Sequence, residues 1–147
     1  MKLNHVNLTS FDIAADQAMF ERYFGLRCLA VRGRGLAVME DEHGMVLVLN
    51  NFPRKRGDFA YPVDSDVMHI GFIQETREAV DAIHARLAAD GWGAPAPRNY
   101  HGAWTFYFKA KGGYFIEVSS PTLIDRIGTG DQEPASHVSA ASRARTA

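Results

Sequence analysis

Apolar and polar positions change rhythm along the chain twice, in the same order each time. Residues 2–9, KLNHVNLT, alternate in the manner of a half-buried strand. Between Ile13 and Phe24, the residues Ile13, Phe20 and Phe24, with Met19 and Tyr23 alongside, recur at helical spacing; Ser10 or Asp12 is placed to cap that helix and Gly25 to stop it. Three short strand-like runs follow at 26–32, 35–41 and 44–50, punctuated by Gly33, Gly35 and Gly44. After a linker over 51–66 that carries Pro53, Gly57 and Pro62, the rhythm returns. It predicts a strand over 67–73 and a helix over 76–90 with Val80, Ile83 and Leu87 on one face, ending at Gly91. Pro95 and Pro97 confine the run 94–100 to a sheet edge or a loop, and strands close the pattern over 103–109 and 113–119.

The order is therefore βαβββ, linker, βαβββ, with His5 matching His69, Gly25 matching Gly91 and Gly44 matching Gly113. Two copies at so long a period predict a duplicated α+β fold rather than a solenoid. We read one domain over 1–127, built from modules 1–50 and 67–120. Thr122 to Ile127 is expected to form a helical turn or two, and 128–147, rich in Gly, Ser and Ala without periodicity, to be disordered.

Composition narrows the function. A net charge of −1 gives no basic footprint for nucleic acid; Arg54, Lys55 and Arg56 form a basic triplet, but Asp58 follows and the stretch reads as a solvated loop. No apolar run approaches the ~20 residues of a membrane helix, and the N-terminus lacks a signal-peptide core. One cysteine, Cys28, excludes an intrachain disulfide and suits a reducing cytoplasm.

Strand phase then selects candidate chemistry. Val6 and Leu8 take one face of the first strand and His5, Asn7 and Thr9 the other; His69 and Gly71 oppose Met68, Ile70 and Phe72; Phe115, Glu117 and Ser119 oppose Tyr114, Ile116 and Val118. If each helix covers the more apolar face, then His5, His69 and Glu117 share the concave side. They converge only where the two halves set their sheets side by side. Two imidazoles and a carboxylate on rigid strands form a facial set for a divalent metal with open positions. Taken singly, each histidine reads more readily as a hydrogen-bonded structural residue and Glu117 as a solvated carboxylate.

Leu3-Asn4-His5-Val6 opening one half, His69-Ile70-Gly71-Phe72 opening the other, and the closing Phe106-Tyr107-Phe108 and Gly113-Tyr114-Phe115-Ile116-Glu117-Val118 together resemble the vicinal oxygen chelate superfamily, the glyoxalase, bleomycin-resistance and extradiol dioxygenase group. The resemblance implies a cupped eight-stranded mixed sheet, one divalent metal ion (Mn, Fe, Ni or Zn) held by His5, His69 and Glu117, and a homodimer. Members with four protein ligands carry Glu or Gln in the fourth strand; Val48 stands there, with Glu40 as the possible substitute or a solvated edge carboxylate. A three-ligand set is similar to that of fosfomycin-resistance thiol transferases and extradiol dioxygenases. Tyr107 matches a substrate-contacting tyrosine of the former, and Ser120-Pro121-Thr122-Leu123 resembles the segment after their glutamate. Lys109-Ala110-Lys111-Gly112-Gly113 replaces the usual acidic turn.

Around that set, Asn7, Val48, Thr105 and Phe115 are expected to line a small-molecule cup. Tyr107 is expected either to donate to a developing oxyanion or only to line the cup. His101, on a loop at the mouth, reads as a general acid or base or as a plain surface residue. His43, His84 and His137 are expected to be solvated, Trp92 to pack, and Cys28 has no activating neighbour in sequence. The functional expectation is a metal-dependent lyase, isomerase, thiol transferase or dioxygenase whose substrate chelates through neighbouring oxygens. The alternative is a metal-free drug- or metabolite-binding protein of the bleomycin-resistance type.

Overall fold

Asp12, not Ser10, caps the first helix: its carboxylate accepts the Ala15 N–H at 3.1 Å. Helix α1 (Ile13–Phe24) ends where Gly25 turns left-handed at φ 68°, and the matched Gly91 turns the same way at φ 75° just beyond helix α3 (Arg77–Ala89). The structure, a computed structural model, describes residues 3–120; the start of the first strand at Lys2, the helical turn expected at Thr122 to Ile127, the expected tail over 128–147 and His137 lie outside the described residues.

The strands are β1 (His5–Thr9), β2 (Arg27–Arg32), β3 (Leu36–Glu40), β4 (Val46–Asn50), β5 (His69–Ile73), β6 (Arg98–Tyr100), β7 (Ala103–Lys109) and β8 (Phe115–Ser119). They form two four-stranded mixed sheets, ordered β1-β4-β3-β2 and β5-β8-β7-β6, each with one parallel pair. The two orders are the same order, so the duplication read from the sequence is a duplication of topology. β6, the strand downstream of Pro95 and Pro97, is an edge strand. Two local expectations change. The linker holds a one-turn helix, α2 (Pro53–Arg56), with Pro53 at its first position; there Lys55 and Arg56 lie over the Phe52 and Phe11 rings instead of reaching freely into water. His84 is half-buried rather than solvated, because α3 seats its ring edge-on to Phe106 with a nitrogen 3.2 Å from the Ala94 carbonyl.

Leu8, Met39, Leu47 and Leu49 from the first sheet, Phe106, Phe108, Ile116 and Val118 from the second, and Phe20, Tyr23, Val80, Ile83 and Leu87 from the helices fill one core. Aromatic contacts cross between the halves: Phe24 stacks on Phe72 with centroids 4.2 Å apart, and Phe20 on Tyr114 at 6.5 Å. Burying a ring fully, as at Phe20, contributes about 1.5–3 kcal/mol.

A polar latch joins the halves inside that core. Asp16 on α1 is fully buried. Its carboxylate accepts the Ser10 hydroxyl at 2.8 Å, the Tyr114 hydroxyl at 2.7 Å and the Gly112 N–H at 2.9 Å. A methyl group at Gly112 would run into that carboxylate and the Tyr114 ring, so only glycine lets the β7–β8 turn approach. The exposed Arg22–Asp90 pair also spans the halves, but surface ion pairs contribute at most about 1 kcal/mol.

Burial raises the Asp16 pKa above its ordinary 3.8, outweighing the three hydrogen bonds, which lower it. The folded protein then holds the proton more tightly than the unfolded chain, so this group's contribution falls as pH rises from the ordinary value through the raised one. Urea unfolding of wild type and Asp16→Asn across pH 3–8 should give a stability difference, wild type minus variant, that falls with rising pH; a flat difference would refute the account.

Candidate metal centre

Cross-strand register builds the outward face of the second sheet in rows. His69, Phe115 and Lys109 form one row, Gly71, Glu117 and Tyr107 the next, and Ile73, Ser119 and Thr105 the third. The first sheet repeats the plan with His5, Val46 and Glu40, then Asn7, Val48 and Val38, then Thr9, Asn50 and Leu36. Val48 thus occupies the position that Glu117 holds in the other half. In both sheets the opposite face is the one buried in the shared core.

Glu117 is the centre of the constellation. It is only 5% exposed, beside the equally buried Thr105 and Ser119 on a face whose other end, at His69 and Lys109, is open to solvent. Its Oε1 accepts the Tyr107 hydroxyl at 2.9 Å and faces the Thr105 hydroxyl at 3.0 Å, whose single proton is shared with the Val118 carbonyl at 2.9 Å. Its Oε2 lies 3.3 Å from His69 Nε2. Gly71, directly across the β5–β8 pair, leaves that oxygen room: a Cβ there would stand 3.3 Å from it.

The His69 ring is oriented from behind. Nδ1 is 2.7 Å from the Ser65 carbonyl, which can only accept, so Nδ1 carries a proton. In the neutral ring Nε2 then presents a lone pair to the Glu117 carboxylate, the arrangement of a metal-ligating histidine with its outer hydrogen bond in place. The 3.3 Å gap also matches neighbouring ligands, which at metal–ligand distances of about 2.1 Å stand roughly 3.0 Å apart in an octahedron and 3.4 Å in a tetrahedron. The donor set therefore fits a divalent cation.

Tyr107 packs edge-on to His69 at 5.1 Å, and Tyr100 edge-on to Tyr107 at 6.3 Å. Burial, then the facing Glu117 carboxylate, pushes the Tyr107 phenol well above its ordinary range, so it remains a proton donor to Glu117. Tyr100 is tied in turn to Asp66 in the linker through a 2.5 Å hydrogen bond.

The other sequence-selected residues fall in three places. His5 is on the outward face of the first sheet, its Nδ1 2.8 Å from Asn4 Oδ1. Among the described residues no group of three or more His, Cys, Asp or Glu comes together, so one chain brings His69 and Glu117 together without His5. Asn7 accepts the Asn50 side-chain N–H at 2.6 Å, and Val48 lies beside it. Phe115 flanks His69, with the Lys109 ammonium 5.8 Å from its ring centre. Glu40 shares the row of His5 but is paired with Arg27 at 2.7 Å. His101, at φ 48°, and Gly102, at φ 78°, form the two-residue turn between β6 and β7; the His101 ring lies 3.9 Å from that of Tyr100. Cys28 is half-buried, its thiol 3.7 Å from the Ala30 carbonyl.

Sequence reading passed over Gly71, Ser65 and Asn50. Gly71 had a signal, a missing side chain two residues after a ligand candidate and on the same face. Ser65 acts through its carbonyl, which no sequence pattern marks.

A family model described as the glyoxalase/bleomycin resistance protein/dioxygenase superfamily matches residues 2–118. A possible glyoxalase from Bacillus cereus shares 41% identity over 81% of this chain and 98% of its own, with a TM-score of 0.71. The lactoylglutathione lyase of Agrobacterium tumefaciens is similar in fold at 18% identity, covering 83% of this chain and 95% of its own, TM-score 0.67. The fosfomycin resistance protein FosX of Listeria monocytogenes also shares the fold at 18% identity, over 86% and 98%, TM-score 0.67. No curated protein sequence matches.

Gly71→Ala should cost only about 1 kcal/mol of stability, since the added methyl meets a single oxygen. It should nonetheless shift the ring ¹⁵N resonances of His69 by displacing Glu117. Unmoved resonances in a folded variant would show that Gly71 does not set the carboxylate's position.

Proposed function

The chain belongs to the glyoxalase/bleomycin resistance protein/dioxygenase superfamily, and on that premise we propose that it is a divalent-metal-dependent enzyme acting on a small molecule that chelates through neighbouring oxygens. One observation carries the reading: a buried carboxylate oxygen 3.3 Å from an imidazole nitrogen whose other nitrogen is already the hydrogen-bond donor. Two lone pairs so placed repel. A proton on Nε2 or a cation between the groups removes the repulsion, and the open face leaves room for a cation and its substrate. Such an ion would supply Lewis-acid polarisation of a bound oxygen. That reading is also supported by the Listeria protein of the same fold, one variant of which is described in complex with Mn(II) and a dihydroxypropylphosphonic acid.

His5 is the proposed third ligand, supplied by a second copy. Its face and the His69–Glu117 face both turn away from the one core they share, so a symmetric pair of chains can set the first sheet of one against the second sheet of the other. The joined faces would form a cup lined by Val38, Val46, Val48 and Phe115, with Asn7 and Lys109 as its polar contacts. Such a lining suits a compact molecule of mixed polarity. The alternative, metal-free sequestration of a drug or metabolite, draws on the same apolar lining and on Glu117 having hydrogen-bond donors of its own.

Two measurements test the reading. Protein purified without chelator should contain about one divalent ion per chain, and the His5→Ala, His69→Ala double variant almost none. Equal, negligible metal in both would sink the enzyme reading, and ligand-induced thermal stabilisation that persists in EDTA would then favour sequestration. For the shared site, His5→Ala and Glu117→Ala chains mixed at random should recover about a quarter of the wild-type metal content, because half the dimers are mixed and each restores one of two sites. No recovery on mixing would place His5 outside the site.

A further inference from the structure

We propose that Thr105 and Tyr107 are positioning residues that restrict Glu117 to a single ligating oxygen, Oε2, and thereby leave three coordination positions of a bound ion open rather than two, so that one stays with water when a two-oxygen ligand is bound. The inference rests on the metal reading above and specifies how this chain would serve it. A carboxylate can bind a cation through one oxygen or through both. Here the two oxygens have opposite surroundings. Oε1 is met by two hydroxyl groups, at 2.9 and 3.0 Å, while Oε2 has no hydroxyl donor, only His69 Nε2 at 3.3 Å and the side-chain-free Gly71 across the strand pair.

The two donors are themselves held. Thr105 is 1% exposed and β-branched, so its hydroxyl has little freedom to leave. The Tyr107 ring is fixed between the edges of His69 and Tyr100, and Tyr100 is anchored on Asp66. Turning Glu117 to offer both oxygens would break both hydrogen bonds inside a buried site. With His5, His69 and one oxygen of Glu117, three positions of an octahedral ion are filled and three remain. With both oxygens, a fourth is lost. A two-oxygen ligand would then fill every position left open, whereas with a single ligating oxygen one position would stay with water.

The test uses Mn(II) alone, then acetohydroxamate as a two-oxygen probe and azide as a one-atom probe, on wild type, Tyr107→Phe, Thr105→Val, the double variant and Thr105→Ser. Water-proton relaxation counts the waters on bound Mn(II). The double variant should lose about one of roughly three waters on Mn(II); with acetohydroxamate bound, wild type should keep about one water and the double variant none. Its azide affinity should stay within about twofold of wild type, with Mn(II) held at least as tightly. Thr105→Ser, which keeps the donor, should behave as wild type. Unchanged hydration of the folded double variant, free and with acetohydroxamate bound, would overturn the inference, as would weaker Mn(II) binding at unchanged hydration, which marks a packing role only. A wild-type protein that takes up no Mn(II) would instead overturn the metal reading, and the inference with it.

Discussion

A strand can bury only alternate side chains, and in this protein both halves commit the same phase to one shared core. Leu8, Leu47 and Leu49 on one side and Phe106, Ile116 and Val118 on the other meet around α1 and α3. Everything that carries chemistry is fixed by that choice. His5, Asn7, His69, Tyr107 and Glu117 stand on the complementary phase and face away from the core. A one-residue slip of either sheet would exchange the two sets and destroy core and site together.

Among the described residues two carboxylates are buried, and their surroundings differ. Asp16 is met only by donors: two hydroxyls and a backbone N–H close around it, and its effect is to join the first helix to the last hairpin. Glu117 is met by donors at one oxygen and by an acceptor at the other. The first is a completed hydrogen-bond shell and therefore structural. The second is completed at one oxygen only, and His69 Nε2 stands 3.3 Å from the other. Burial alone does not distinguish them; the balance of donors and acceptors does.

The fold was legible because its signals are local and repeated. Helix α1 has the bounds that its stripe of Ile13, Phe20 and Phe24 predicts, and the prolines before β6 mark an edge strand. The helical turn at Pro53 was missed because four residues show no periodicity, and the half-burial of His84 because contact with Phe106 is made across elements distant in sequence. The site was legible as a set of phases. Strand alternation placed His69 and Glu117 on one face, and the register brings them together. It could not show that His5 stays apart from them within one chain, because phase says which side a residue faces and not which sheet lies opposite. Nor could it show the Ser65 carbonyl or the space beside Gly71, which are properties of backbone and absence rather than of a side chain.

The inequality of the two equivalent positions, Val48 and Glu117, has a consequence for how such a protein can change. The half that carries Glu117 also carries its two hydroxyl donors, the oriented histidine and the glycine opposite, so almost any substitution on that face disturbs several partners at once. The matching face of the first half presents Val38, Val46 and Val48, which make no directional bonds and so tolerate exchange for other shapes. The valine face of one sheet can thus be reshaped while the carboxylate-bearing sheet stays as it is, a separation of adaptable and constrained surfaces that a duplicated fold provides once its copies cease to be alike.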